Sequence, residues 1–159
     1  ALFEAAAWSP SSRNEQPWRF IYGIKDEDET YLKIFHTLVH WNQQWANTAP
    51  LLVLSIARLK SDFHNKDNTY AMYDLGQAVA HLTMQATFMG LFCHQMGGFD
   101  KEKAMSLFNI PVGYACLTVI AIGYMGNPDL LPVDLKELEE KPRSRFEFEK
   151  LIFNGDFKG

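Results

Sequence analysis

Three segments of the chain have the polar and apolar pattern of β-strands. Residues 18–24 alternate between apolar and polar positions and run into the acidic stretch 26–29. Residues 50–57 and 114–124 are short, almost continuous apolar runs, which are typical of strands covered on both faces. The pattern therefore predicts three strands, two of them buried.

Helical spacing of apolar residues is found between these strands. Residues 1–8 are helix formers, and Pro10 ends this helix because proline disfavours a helical residue before it. Residues 31–40 carry a shorter helical stripe. Residues 69–92 carry the longest one and are apolar on the opposite face as well, which predicts a central buried helix.

Two loops and one short helix complete the predicted domain. The charged residues 58–68 predict one loop, and the glycines within residues 94–100 predict another. Asp100 is placed to cap a helix that ends at Leu107. The order of elements predicts an α+β fold.

The C-terminal segment differs from the rest of the chain. Residues 126–142 are proline-rich and acidic, which predicts an extended arm that leaves the globule. The apolar pattern resumes in residues 146–159, whose aromatic side chains would be unfavourable in water. We expect this tail to pack on a second copy of the chain, because exchange of a terminal element readily produces a dimer.

Composition narrows the class of protein. The chain has 159 residues, of which 47% are hydrophobic, and this is enough for one packed domain. Aromatic residues make up 14%, an excess that favours a flat ligand or a subunit interface. The net charge of −4 provides no basic surface for nucleic acid. The longest apolar run is shorter than the roughly 20 residues that a bilayer requires.

The two cysteines, Cys93 and Cys116, lie in apolar runs without a Cys-x-x-Cys spacing. They are expected to be buried thiols, which indicates a reducing compartment and a cytoplasmic protein. His36 and His40 have the i, i+4 spacing of a helical metal pair, but no nearby carboxylate completes a site, so no metal is predicted. His94 adjoins the glycine loop and is a candidate for ligand contact.

Residues 9–18 are the segment with the most concentrated polar chemistry. Two prolines restrict this loop, and its hydroxyl groups and the Asn14 and Gln16 amides can donate and accept hydrogen bonds at the edge of a planar heterocycle. The same residue types also form ordinary turns, so the chemistry alone leaves both interpretations open.

Further motifs along the chain favour the ligand-binding interpretation over the ordinary turn. The segment Ser-Pro-Ser-Ser-Arg-Asn-Glu-Gln-Pro-Trp at residues 9–18 resembles the signature of the FMN-dependent nitroreductase family. Three further stretches resemble that family in the same order: Asn-Gln-Gln-Trp at 42–45, Gln-Met-Gly-Gly-Phe-Asp at 95–100, and Arg-Ser-Arg at 143–145. The resemblance covers essentially the whole chain, as one domain over residues 1–159.

The resemblance implies a nitroreductase-like fold, with a central, mostly antiparallel sheet flanked by helices and a tail at 126–159 exchanged between subunits. It also implies a homodimer with FMN at the subunit interface. The cofactor contacts that it implies are Pro10, Ser11, Ser12 and Asn14 from the neighbouring subunit, Asn42 at the pyrimidine edge, Gln95 and Met96 in the flavin-facing loop, Gly97 and Gly98 with their backbone N–H groups near flavin N5, and Arg143 and Arg145 at the phosphate. Trp45 and His94 are expected to face the substrate.

Three departures from the family pattern stand out. The family's N-terminal basic stretch has no counterpart in the chain; we expect it upstream of Ala1, and the alternative is an impaired flavin site. Trp45 occupies the position where some members have a lysine, and its ring is suited to stacking on a flat substrate. Gly97 stands where some relatives carry an acidic residue.

The implied activity is that of an NAD(P)H-dependent FMN oxidoreductase. NADH or NADPH would transfer a hydride to the flavin and leave, and a nitroaromatic, quinone or similar small aromatic acceptor would then be reduced in the same place, giving ping-pong kinetics. No side chain is assigned as a catalytic acid or base. Alternatives within the fold are flavin degradation and reductive dehalogenation, and outside enzymes a non-catalytic flavin-binding dimer.

Overall fold

The computed structural model describes residues 1–63 and 66–157 and contains one four-stranded sheet. The strands are β1 (Trp18–Ile24), β2 (Leu51–Arg58), β3 (Phe92–Met96) and β4 (Tyr114–Gly123). They pair in the order β1-β2-β4-β3, and every pairing is antiparallel. The predicted fold class and the three predicted strands are therefore confirmed, and β3 is an additional edge strand.

Six α-helices accompany the sheet within the described ranges. They are α1 (Leu2–Ala7), α2 (Glu29–Phe35), α3 (His40–Ala46), α4 (Ala71–Phe88), α5 (Lys101–Leu107) and α6 (Val133–Glu140). Single turns of 3-10 helix lie at Ser12–Asn14, Pro128–Leu130 and Phe148–Lys150. The predicted cap of α5 is confirmed, since the Asp100 carboxylate accepts a hydrogen bond from the N–H group of Lys103 at 2.9 Å.

The sheet separates two hydrophobic cores. Alternate residues of β2 face opposite sides: Leu52 and Leu54 join a core with α2, α3 and α5, whereas Val53 packs in a core with α1 and α4. Both faces of β2 and β4 are thus covered by helices, which explains their nearly continuous apolar sequences.

A β-bulge interrupts the pairing of the two central strands. Ser55 pairs with Thr118 but Ile56 pairs with Cys116, so Leu117 is the extra residue. The fully buried Ser55 hydroxyl lies 2.8 Å from the Thr118 hydroxyl and accepts a hydrogen bond from the Thr118 N–H group at 3.0 Å. The Ser55 hydroxyl thus provides an acceptor for a backbone N–H group at the bulge, where the regular hydrogen bonding between the strands is interrupted.

The helix predicted over residues 31–40 is wrong in its extent. Helix α2 ends at Phe35, and α3 starts at His40 after a turn. His36 therefore terminates one helix and His40 begins the next, so they do not share a helical face. Helix α2 begins earlier than predicted because the Asp28 carboxylate accepts a hydrogen bond from the N–H group of Tyr31 at 3.1 Å.

Helix α4 is shorter than predicted and is not buried on all sides. Its core stripe, including Leu75 and Leu82, is fully buried, but Met84 and Phe88 are 71% and 87% exposed. The prediction of a central buried helix is wrong for the single chain, because none of the described residues covers this apolar face. The chain after α4 turns at Gly90 and enters β3, so residues 94–96, predicted as loop, belong to a strand.

The chain divides into two compact units, residues 1–126 and 127–159. The second unit contains α6, which corrects the prediction of an extended arm. Pro132 precedes the first turn of this helix, and the ammonium group of Lys136 bridges Asp129 at 2.5 Å and Glu140 at 3.7 Å. Exchange of residues 126–159 between subunits stays a prediction.

Two sequence predictions extend beyond the described part of the chain. The charged loop at residues 58–68 includes His64 and Asn65, and the apolar tail includes Lys158 and Gly159; these four residues lie outside the described ranges. Among the remaining residues, no helix combines the length and apolarity needed to cross a membrane. Within the same ranges, no three His, Cys, Asp or Glu side chains gather as a metal site.

Candidate functional site

Two of the predicted cofactor segments meet where α3 approaches the end of β3. The Asn42 side-chain amide donates a hydrogen bond to the carbonyl oxygen of Gly98 at 3.0 Å, and the Val39 N–H group donates to the same oxygen at 3.1 Å. Because its Nδ2 is engaged, the Asn42 amide is held in one orientation. Its carbonyl oxygen is the acceptor that this side chain can offer to a ligand.

The two glycines of this segment differ in their surroundings. A Cβ atom on Gly98 would lie 2.9 Å from Asn42 Nδ2 and 3.0 Å from Val39 Cγ2, so any side chain here would displace these two groups. A Cβ atom on Gly97 would meet no atom within 4 Å. Gly97 therefore borders open space, and its backbone is accessible to a flat ligand.

Trp45 and His94, predicted to face the substrate, lie beside each other. Their ring centroids are 4.6 Å apart with an interplanar angle of 56°. Trp45 lies three residues after Asn42 on α3, which places both side chains on neighbouring positions of the helix surface. The aromatic pair thus adjoins the Asn42–Gly98 contact.

Strand alternation separates the remaining residues of β3. Met96 is 2% exposed and packs in the core beneath α2, α3 and α5, so its side chain is not available to a ligand. Gln95 points to the other face, where its amide lies 3.5 Å from the Thr83 hydroxyl of α4. A ligand can therefore contact Met96 only through its backbone.

Residues 9–18 form an irregular loop with an alternation of buried and exposed positions. Ser9, Glu15, Pro17 and Trp18 are buried, whereas Pro10, Arg13, Asn14 and Gln16 are exposed and Ser11 and Ser12 half-buried. Three of these residues have left-handed backbone conformations that favour glycine: Arg13 (φ 53°), Asn14 (φ 56°) and Gln16 (φ 46°). Pro10 and Asn14 are thus accessible, and their contact with the flavin stays a prediction.

Two sets of contacts hold this loop. The Ser12 N–H group donates to the buried Asp74 carboxylate at 3.0 Å, and the Gln16 N–H group donates to the Ser11 hydroxyl at 3.0 Å. The Glu15 carboxylate forms an ion pair with Arg58 at 3.2 Å. Sequence reasoning missed Asp74, Glu15 and Arg58, because isolated charged residues in a helix, a loop and a strand end give no pattern.

The two groups of predicted cofactor residues lie on opposite faces of the sheet. Asn42 belongs to α3, whose Ala46 is part of the core shared with α2 and α5. Ser12 is bonded to Asp74 of α4, the helix that covers the other face. One chain therefore presents these groups in different directions.

Arg143 and Arg145 lie in the unit formed by residues 127–159 and are exposed. The guanidinium group of Arg145 donates a hydrogen bond to the carbonyl oxygen of Ser144 at 2.7 Å. Their assignment to a phosphate stays a prediction.

The Tyr31 hydroxyl contacts the C-terminal end of α3. It lies 3.1 Å from the carbonyl oxygen of Ala46 and 2.8 Å from that of Ala49, at the end of the helix that carries Asn42 and Trp45. Burial raises the pKa of Tyr31 to about 12, with a smaller contribution from the negative charge of Asp26. The protonated hydroxyl is therefore the form that the fold stabilises.

Comparison with known proteins gives the family. The sequence model of the nitroreductase family matches residues 23–124. The 15.4 kDa protein in the ask 5′ region of Mycolicibacterium smegmatis is 32% identical over 133 residues, which are 84% of this chain and 88% of that protein. This chain belongs to the nitroreductase family and is an oxidoreductase of that family.

Solved structures agree with this assignment. The crystal structure of an oxidoreductase containing FMN superimposes with a TM-score of 0.93 at 35% identity, covering 99% of this chain and 80% of that one. An FMN-dependent nitroreductase from Clostridium difficile R20291 superimposes with a TM-score of 0.69 at 18% identity, covering 98% and 85%. The second similarity shows the shared nitroreductase-like fold.

Proposed function

We propose that the protein is a homodimeric FMN enzyme that uses NADH or NADPH to reduce flat acceptors such as nitroaromatics and quinones in a ping-pong cycle. The observation that carries the proposal is the hydrogen bond between Asn42 and Gly98. It joins two of the motifs that the family resemblance assigns to the flavin, and it leaves the Gly97 backbone beside open space.

The residue types of the predicted cofactor set suit FMN. The Asn42 carbonyl oxygen can accept from a ring N–H group, and the backbone N–H groups of Gly97 and Gly98 can donate to a ring nitrogen or oxygen. The guanidinium groups of Arg143 and Arg145 have the fork of donors that a phosphate requires. FMN, when bound, supplies the hydride-transfer chemistry, and the protein supplies binding, orientation and exclusion of competing reactions.

Trp45 and His94 are proposed to bind the acceptor. The indole provides a broad apolar surface for a planar molecule, and the imidazole beside it provides a polar group that can donate a hydrogen bond to a nitro or quinone oxygen. We assign no catalytic acid or base, in keeping with the family's reliance on its cofactor.

The proposed site uses two subunits. Pro10, Ser11, Ser12 and Asn14 lie on the α4 side of the sheet and Asn42 on the α3 side, so the loop of one subunit would serve the flavin of the other. The exposed apolar face of α4, with Met84 and Phe88, supports a dimer because such a surface is normally covered. The free thiols of Cys93 and Cys116 support a reducing, cytoplasmic location.

The first experiment is spectroscopic. We expect the purified protein to bind FMN with a flavin absorption band, to be bleached by anaerobic NADPH or NADH, and to regain colour when a quinone or nitroaromatic is added. Bleaching without re-oxidation by any acceptor would favour the non-catalytic flavin-binding dimer. Loss of flavin on exposure to oxygen, with new flavin products, would favour the flavin-degrading alternative.

The second experiment tests the two-subunit site by complementation. One subunit carries Asn42→Ala, and the other carries Ser12→Ala with Asn14→Gly, where glycine keeps the left-handed conformation of residue 14. In a mixed dimer, a site shared between subunits contains one unaltered combination, so half of the sites should bind FMN with wild-type affinity. A site built within one chain would leave every site defective, which would overturn the shared arrangement.

A further inference from the structure

We infer that Asp74 and the Glu15–Arg58 ion pair are positioning residues that hold the loop of residues 9–18 in the shape that binds FMN. The inference rests on the proposed function, since it concerns the same cofactor. It adds three charged residues to which the family resemblance assigns no role.

The backbone of this loop requires external support. Arg13, Asn14 and Gln16 all have positive φ values within four consecutive positions. Asn tolerates this region, but Arg and Gln adopt it at a conformational cost. Such a series persists only where the surrounding structure determines it.

Asp74 supplies the support at the start of the loop. It lies in the first turn of α4 and is 2% exposed, and its Oδ2 accepts a hydrogen bond from the Ser12 N–H group at 3.0 Å. The partial positive charge of the helix N-terminus favours a carboxylate at this place. A hydrogen bond from a backbone N–H group to a buried charged acceptor fixes the position of Ser12 relative to α4.

Glu15 and Arg58 supply the support at the end of the loop. Their side chains are 4% and 14% exposed, and Arg58 Nη2 lies 3.2 Å from the Glu15 carboxylate and 3.2 Å from the Glu15 carbonyl oxygen. The backbone N–H group of Arg58 also donates a hydrogen bond to the carbonyl oxygen of Pro17 at 2.8 Å. Arg58 thus binds the loop through one side-chain acceptor and two backbone acceptors.

Two residues of the segment after β2 also contact this ion pair. The Ser61 hydroxyl and the Asp62 N–H group both donate to the Glu15 carboxylate, and Asp62 also forms an ion pair with Arg58. The hydrogen bond to Asp62 raises the pKa of the Arg58 guanidinium, so Arg58 stays charged. The buried Glu15 carboxylate therefore accepts hydrogen bonds from Arg58, Ser61 and Asp62.

The two supports hold Ser12 and Glu15, and Arg13 and Asn14 lie between them. Fixing the loop at Ser12 and at Glu15 leaves little freedom for the exposed Asn14 side chain and the half-buried Ser12 hydroxyl. A loop fixed in this way loses less conformational entropy when FMN binds. Loosening either support should therefore weaken FMN binding without removing any group that touches FMN.

The first test compares FMN dissociation constants of full-length apoprotein variants, measured by quenching of free FMN fluorescence. Asp74→Ala should weaken binding about tenfold or more, and Asp74→Asn, which keeps an oxygen acceptor for Ser12, should restore most of the affinity. The matched control is Asp28→Ala, which removes the cap of α2 on the other face and lowers Tm without touching this loop.

The outcomes separate the inference from the proposed function. Wild-type protein that binds no FMN would overturn the proposed function. Wild-type protein that binds FMN, with Asp74→Ala folded and equally tight, would overturn the inference alone. Equal weakening by Asp28→Ala would also overturn it, because the effect would then reflect general stability.

The second test separates folding from positioning at the ion pair. Arg58→Met alone leaves a buried unpaired carboxylate and should lower both Tm and FMN affinity. Adding Glu15→Gln removes the buried charge and should recover Tm while FMN binding stays about tenfold weaker. Recovery of both properties would overturn the positioning role. Trypsin cleavage after Arg13 should be faster in Asp74→Ala than in wild-type apoprotein, which reports loop mobility independently of FMN.

Discussion

The side-chain amide of Asn42 lies 3.0 Å from the carbonyl oxygen of Gly98, across a sequence separation of 56 residues. This contact connects α3 to the end of β3 and sets the orientation of the amide. A Cβ atom at Gly98 would press on the Asn42 amide, whereas Gly97 next to it has open space.

Alanine substitution should therefore separate the two glycines. Gly98→Ala places a methyl group 2.9 Å from Asn42 Nδ2 and 3.0 Å from Val39 Cγ2, so it should cost about 1–3 kcal/mol of stability and displace Asn42. Gly97→Ala should leave the free energy of unfolding within about 0.5 kcal/mol of wild type while weakening FMN binding. Urea unfolding of the apoprotein and FMN titration check both. Equal losses of stability in the two variants would contradict the assignment.

The Trp45–His94 pair should determine acceptor binding. Trp45→Leu or His94→Ala should raise the KM for a quinone acceptor roughly 3- to 10-fold, as expected for loss of one aromatic contact, and leave the FMN dissociation constant nearly unchanged. Steady-state kinetics at saturating NADPH measure the effect. Trp41→Leu, an exposed tryptophan on the same helix, is the control and should leave KM unchanged.

Tyr31 should make stability depend on pH in the alkaline range. Its folded-state pKa is raised to about 12 by burial, above the ordinary value of 10.0, so the stabilisation is fully present below pH 10 and is lost as pH rises towards 12. Over this interval the unfolded state releases the proton and the folded state keeps it, which lowers the free energy of unfolding by about 1.4 kcal/mol per pH unit. Urea titrations from pH 9 to 12 should show this slope in the wild type.

Tyr31→Phe is the control for that titration. It should remove this part of the alkaline slope and, because the carbonyl oxygen of Ala49 loses the donor that lies 2.8 Å away, cost about 1–3 kcal/mol at neutral pH. An unchanged alkaline slope in this variant would assign the pH dependence to other groups.

The hydroxyl pair at the β-bulge should be coupled energetically. Ser55→Ala removes the acceptor of the Thr118 N–H group and should cost about 1–3 kcal/mol. A double-mutant cycle with Thr118→Val should give a coupling of about 0.5 kcal/mol or more, because the two hydroxyls are 2.8 Å apart. Thr48→Ala, which removes an exposed hydroxyl, serves as the control and should change stability by less than about 0.5 kcal/mol.

Both cysteine thiols should react slowly in the folded protein. Burial raises the pKa of Cys93 and of Cys116, and a hydrogen bond from Thr83 offsets this only partly for Cys93. Since the thiolate is the reactive form, reaction with an aromatic disulfide reagent at pH 8 should be at least about tenfold slower than in urea. Cys116 is buried as predicted, whereas Cys93 is only half-buried. Fast labelling of Cys116 in native buffer would contradict its burial.

Much of the fold could be predicted from local pattern. Strand β1 was predicted with its observed bounds, and β2, β4 and α5 within about a residue, because alternation, continuous apolar runs and the Asp100 cap are local signals. The exposed edge strand β3 lacked such a signal: Phe92, His94 and Gln95 are all exposed, so the strand is defined by its pairing with β4 rather than by hydrophobicity. Helix α3 was missed for a similar reason, since its sequence is polar and no side chain caps its start.

The sequence by itself determined the family signature, the two buried strands and the set of cofactor-motif residues, because each is written in contiguous residue types. Only the tertiary structure decided that Asn42 meets Gly98, that Trp45 meets His94, and that the loop of residues 9–18 lies on the other side of the sheet. It also supplied Asp74 and the Glu15–Arg58 pair, whose importance depends on burial and contact. Contacts between distant residues arise from packing, and the packing of a chain is not contained in any single segment of it.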